Sequence, residues 1–168
     1  MLHRVHIAGM TMDPASNNPI VMLKTADGDQ VIPIWIGLLE ATAIASALQN
    51  VSFERPMTHD LFKNFLGRLD ISLTKIEICD LRDNTFFARI YFASEKENFD
   101  MDARPSDALA IALRFKAPIF VDDKVIEKSK AADGAGAGAE VADESQEGKK
   151  WAEYLESLSP EDFGKYKI

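Results

Sequence analysis

The chain has 168 residues, 46% hydrophobic and 27% charged, with 19 Lys/Arg against 27 Asp/Glu. That length suits one globular domain, and the mix excludes a wholly disordered, collagen-like or disulfide-scaffold protein. The net charge of −8 disfavours a general polyanion binder, but residues 1–128 hold only −4 of it, which leaves room for a local basic groove.

In chain order, Leu2–Met10 alternates and predicts a first strand. Ile20–Thr25 predicts a second, Asp27-Gly28-Asp29 has hairpin-turn chemistry, and Gln30–Ile36 predicts a third. Helices are predicted over Leu38–Gln49 and over Asp60–Leu69, the latter capped by Thr58. The order then recurs, with strands Ile71–Asp80, Phe86–Ala93 and Asn98–Asp102 and helices Pro105–Phe115 and Val121–Lys130. A shift of 67 aligns the halves without a gap, placing Glu40 on Asp107 and Ala41, Ala43, Ile44 and Ala45 on Ala108, Ala110, Ile111 and Ala112. The expected fold is therefore α+β: a duplicated β-β-β-α-α unit, repeats about 1–67 and 68–128. Three strands per half bury too little alone, so the halves should share one curved, barrel-like, mainly antiparallel sheet with helices outside. Residues 129–148, Gly/Ala-rich and acidic, read as a flexible linker. Residues 149–168 read as an amphipathic helix and tail, whose Trp151, Leu155 and Phe163 should dock on the body or on a partner chain.

No apolar run approaches the roughly 20 residues of a membrane span. The start Met1-Leu2-His3-Arg4-Val5-His6 lacks a signal-peptide core, so a cytoplasmic protein without a membrane partner is expected. The single cysteine, Cys79, excludes an intrachain disulfide and a Cys-built metal site. Walker-type phosphate loops, dinucleotide fingerprints, HExxH pairs and nucleophilic-serine elbows are missing from the sequence.

Several long words carry a resemblance. Ile32-Pro33-Ile34-Trp35-Ile36-Gly37 with Glu40-Ala41 is followed by Arg55-Pro56-Met57-Thr58-His59-Asp60-Leu61. Asp80-Leu81-Arg82-Asp83-Asn84-Thr85-Phe86-Phe87-Ala88-Arg89 and Asp102-Ala103-Arg104-Pro105-Ser106-Asp107-Ala108 complete the body, and Pro160-Glu161-Asp162-Phe163-Gly164-Lys165 resembles the end of bacterial members. In these words the chain resembles the bifunctional nuclease domain family, formerly a domain of unknown function. The resemblance implies a duplicated α+β fold, homo-oligomers (dimer or trimer), and RNase and DNase activity on nucleic acid.

Phosphodiester cleavage needs an activated oxygen nucleophile, stabilisation of charge on the phosphoryl oxygens, and help for the leaving oxygen. Acidic clusters often supply this by holding Mg²⁺ or Mn²⁺. His59 is a candidate acid or base beside Asp60, and a first-turn histidine bonded to a neighbouring loop is the structural alternative. Arg104, Ser106 and Asp107 surround the start of the Pro105 helix, a phosphate cradle or a self-satisfied helix start. Glu40, at the matching place in the first repeat, approaches Asp107 if a pseudo-two-fold relates the halves. Glu40, Asp107 and Asp60 are the candidate metal ligands, and two independent first-turn acids are the plain alternative. Arg82, beside Asp80, either lines the same pocket as Arg104 or belongs to a simple hairpin turn. Trp35 is expected in the core or at a subunit interface. A non-catalytic oligomeric module binding an anionic small ligand or a protein partner is the competing function.

Overall fold

The computed structural model describes residues 1–28 and 30–133. Seven strands form one sheet: β1 Leu2–Met12, β2 Pro19–Thr25, β3 Val31–Trp35, β4 Ser72–Arg82, β5 Thr85–Ala93, β6 Asn98–Ala103 and β7 Ile119–Asp122. Four helices accompany them: α1 Leu38–Leu48, α2 Thr58–Arg68, α3 Pro105–Phe115 and α4 Asp123–Asp133. The strand order is β3-β2-β1-β7-β4-β5-β6. Two antiparallel meanders thus lie in mirrored order on either side of β7, which pairs antiparallel with β1 and parallel with β4. The sheet is α+β and mainly antiparallel as expected, but it is open, with β3 and β6 at its edges, and does not close as a barrel. Pro33 suits an edge strand, because proline offers no amide hydrogen to a further neighbour.

The second half departs from the expected order. Residues Ile119–Asp122, assigned in part to a closing helix, form β7, and the helix starts only at Asp123. Ile119-Phe120-Val121 is a β-branched and aromatic run behind Pro118, and Ile119 and Val121 are buried between the meanders. The helix also runs further than expected, so 129–133 belong to α4 rather than to the linker. Its alanines, the best helix formers, extend it. The remainder of that linker and the 149–168 segment lie outside the described residues.

The core is aliphatic: Val21, Leu23, Ile32, Ile34, Ile76, Ile78, Leu109, Val121 and Val125 are all nearly inaccessible. Helix α3 lies at its centre, against β4, β5, α1 and α2. The stretch Ala108-Leu109-Ala110-Ile111-Ala112 is buried on every side. Small side chains there let α1, itself carrying Ala41, Ala43 and Ala45, approach closely. Arg114 in the last turn of α3 donates from Nη1 to the carbonyl of Ala43 in α1 at 3.0 Å. In the first turn, Arg104 reaches Glu40 of α1. The two helices therefore run side by side with their N-termini at the same end.

Candidate functional site

Three of the four described helices carry an acid at the third position: Glu40 in α1, Asp60 in α2 and Asp107 in α3. Negative charge is favourable there because it faces free amides and the positive end of the helix dipole. Helix α2 begins at Thr58 with Met57 as its N-cap, so Thr58 is not the cap. Asp60 accepts instead from the Met57 amide at 3.1 Å. Helix α3 is set by Arg104 as N-cap and Pro105 as first residue, with the fixed φ of proline already helical. Helix α1 starts after Gly37, where an added Cβ would meet the Glu40 carboxylate and make that side chain shift.

These starts bring four side chains together. His59 Nε2 lies 3.0 Å from Asp107 Oδ1. Arg104 Nε donates to Asp107 Oδ2 at 2.8 Å, and its Nη1 donates to Glu40 Oε1 at 3.0 Å. Residues from three separate elements thus form one chain, His59–Asp107–Arg104–Glu40. The Arg104 side chain is two-thirds exposed, while His59 is 18% and Asp107 31% exposed. Burial pushes the Asp107 carboxyl upward, but hydrogen bonds from Arg104 and His59 outweigh it and hold it below the ordinary carboxylate range. Asp107 in turn raises the Arg104 guanidinium. With Asp107 ionised, His59 Nε2 must be the donor, and the neutral ring then has Nδ1 as a proton acceptor. Arg104 Nη2 enters none of these bonds.

The other expected site residues fall elsewhere. Asp60 is spent on structure: besides the Met57 amide, it accepts from Arg114 Nε at 2.5 Å. Arg114, 8% exposed along its side chain, also donates to the carbonyl of Ala110 at 2.9 Å. The sequence does not single out Arg114; its one mark is a cation inside an otherwise small and apolar helix. Ser106 is 6% exposed, a buried packing position in the first turn of α3. Arg82 belongs to a different group, donating to Asp80 Oδ2 at 2.6 Å, while Lys128 donates to Asp80 Oδ1 at 2.8 Å. No bond among the described residues links Arg82 to Arg104. Asp80, buried at 7% exposure, is held far below the usual carboxylate range by Lys128 and Arg82. Trp35 is half-buried on edge strand β3 and donates to Asp13 Oδ2 at 3.2 Å. His3 bonds Asp123 at the start of α4.

The expected divalent site does not fit this arrangement. Mg²⁺ requires several carboxylate oxygens converging with waters. Among the described residues, no three His, Cys, Asp or Glu side chains are grouped as such a donor set. The Arg104 guanidinium sits between Glu40 and Asp107, and Asp60 faces Arg114. Nor is any described helix long and apolar enough to cross a membrane.

The sequence that builds this sheet and these helix starts matches a known domain family. The bifunctional nuclease domain family matches residues 21–133, and the chain belongs to that family. Uncharacterized protein Rv1829 of Mycobacterium tuberculosis (strain ATCC 25618 / H37Rv) is 39% identical over 169 residues, covering 95% of this chain and 96% of that protein. Bifunctional nuclease 1 of Oryza sativa subsp. japonica is 31% identical over 117 residues, 67% of this chain and 35% of that protein. Bifunctional nuclease 1 of Arabidopsis thaliana is 29% identical over 111 residues, 62% of this chain and 34% of that protein. The family match begins at Val21, yet β1 lies inside the sheet, between β2 and β7.

Proposed function

We propose that the protein is a nuclease that hydrolyses phosphodiester bonds of RNA and DNA at the His59–Asp107–Arg104 chain. The observation that carries this reading is the convergence of those three residues from two helix starts. Asp107 fixes the imidazole through Nε2, and Nδ1 takes the proton of the attacking water. Arg104, most exposed of the group, meets the phosphoryl oxygens through its remaining guanidinium nitrogen, and its charge stabilises the transition state. Glu40 holds the guanidinium from the other side and is a positioning residue. The family relation and the names of the plant relatives support the reaction class. The 67-residue spacing that separates α1 from α3 at both ends supports descent from a duplicated unit. Self-association is part of the same reading, supported by the exposed apolar side chains Met57, Leu61 and Phe65 along α2.

Labelled single-stranded RNA and DNA should be cut by the wild-type chain, and His59→Ala should cut about 10²- to 10⁴-fold more slowly. Assays with EDTA, Mg²⁺ and Mn²⁺ decide the ion requirement separately. Equal rates in wild type and His59→Ala exclude this site. The non-catalytic binding module is the second reading, favoured by one observation: the charges of Arg104 and Arg82 are already matched by carboxylates. Binding of an anionic small ligand or a protein partner, with no turnover of nucleic acid, selects it.

A further inference from the structure

One turn along α2 from His59 lies a cavity that the proposed reaction does not use. It has a volume of about 500 Å³, within the roughly 300–1,000 Å³ of small-molecule sites. The loop between α1 and α2 forms one wall, and α2 and the end of α3 form the other. Four cations line it, Arg55, Lys63, Arg114 and Lys116, against two acids, Glu54 and Asp60. The whole chain has the opposite balance, 19 basic to 27 acidic, so this cavity runs against the composition around it. Phe53 supplies a half-buried aromatic wall, and Asn50 adds amide donors.

Lys116 gives an independent pointer. Six non-glycine residues have positive φ among the described residues, and five are Asn or Asp, which tolerate it. The sixth is Lys116, at φ 54, closing α3 in the left-handed conformation where glycine is the usual residue. A lysine there costs stability, and its charge is delivered to the cavity rim. Strain retained at a cation that lines a cavity suggests that the cation is wanted there.

We propose that this cavity binds a nucleotide unit of a single-stranded nucleic acid, with Lys116 and Arg55 on its phosphate and Phe53 against its base. This rests on the nuclease reading and deepens it, because Asp60 on the cavity wall is the chain neighbour of His59. The cavity is then the subsite that holds the strand beside the bond being cut. Arg114, pinned by Asp60 and two carbonyls, forms its rigid floor. Base stacking is sequence-tolerant, so the subsite would accept both RNA and DNA.

The test measures binding rather than cleavage. The full chain carrying His59→Ala is titrated with a fluorescein-labelled single-stranded hexanucleotide at several salt concentrations. Adding Lys116→Gly should raise the melting temperature by relieving the left-handed strain, and at the same time raise Kd about tenfold. The slope of log K against log salt should fall by about 1. Arg55→Ala, at an exposed loop position, should weaken binding similarly without changing the melting temperature. Unchanged Kd and salt slope in both variants overturn the subsite, as does absence of oligonucleotide binding. Displacement by poly-glutamate as effective as by unlabelled oligonucleotide also overturns it, since the cavity would then be a general anion site. If the wild type cuts no strand while Lys116→Gly still weakens binding, the catalytic reading falls and the subsite stands.

Discussion

His59 and Asp60 are neighbours in the chain and opposites in role. His59 bonds Asp107 in the first turn of α3, while Asp60 bonds Arg114 in its last turn and the amide that starts α2. Both residues are polar and both sit at a helix start, where sequence alone offers His59 as an acid or base and Asp60 as a metal ligand. The partners decide, and those partners are 48 and 54 residues away. Asp60→Ala leaves a nearly buried guanidinium without its carboxylate and removes the amide acceptor, so it should cost about 2–3 kcal/mol in urea denaturation. His59→Ala should leave the urea midpoint close to wild type, because the imidazole makes a single, partly buried bond. A large stability loss in His59→Ala with none in Asp60→Ala would reverse this assignment of roles.

At the scale of elements, the ends of helices were legible where local chemistry fixes them. Pro105 sets the start of α3, and the predicted Pro105–Phe115 is the observed span. Helix α2 starts two residues before the expected Asp60, and its cap is Met57 rather than Thr58, because Thr58 is a good cap by type while Asp60 satisfies Met57 from inside the helix. Strand β7 was missed in part because four residues carry little periodicity, and its neighbours, β1 and β4, are remote in sequence. The approach of Glu40 to Asp107 was one of two alternatives the repeat left open; the Arg104 bridge between them had no local signal. A second polar group clamps α4 to β4 through Lys128 and Asp80. Folding lowers the Asp80 pKa, so its stabilisation is present above the ordinary carboxylate range and is lost as pH falls. Asp80→Asn should therefore unfold at lower urea than wild type at pH 7, and the gap should begin to narrow as pH drops below about 4. Urea midpoints at pH 7, 5 and 3 check this; a gap that widens in acid contradicts it.

On the scale of the whole molecule, the two meanders do not touch one another directly in the sheet; β7 joins them. Alternation and repeat spacing identified both meanders, but they contained no signal for which strands would meet. The barrel expected from the repeat assumed that edges would pair, whereas the inner strands β1 and β4 are the ones brought together, through β7. A chain ending at Ala117 keeps both meanders and α1 to α3, yet loses the shared strand and the buried Val121, Val125 and Ile126. It should show no cooperative urea transition, and dispersed amide signals in its NMR spectrum would contradict that expectation.

The place of β7 also shapes how the protein is born. Leu2 pairs with Asp122, so β1, once translated, waits for a strand made 120 positions later. At roughly 5–20 residues per second, that delay is on the order of ten seconds. During it, the inner edge of β1, and from its own synthesis that of β4, is an unpaired template for another nascent chain. A protein built this way has a window during synthesis in which crowding by its own unfinished copies is the main hazard, and a holdase acting on the emerging N-terminal hairpin is the natural remedy.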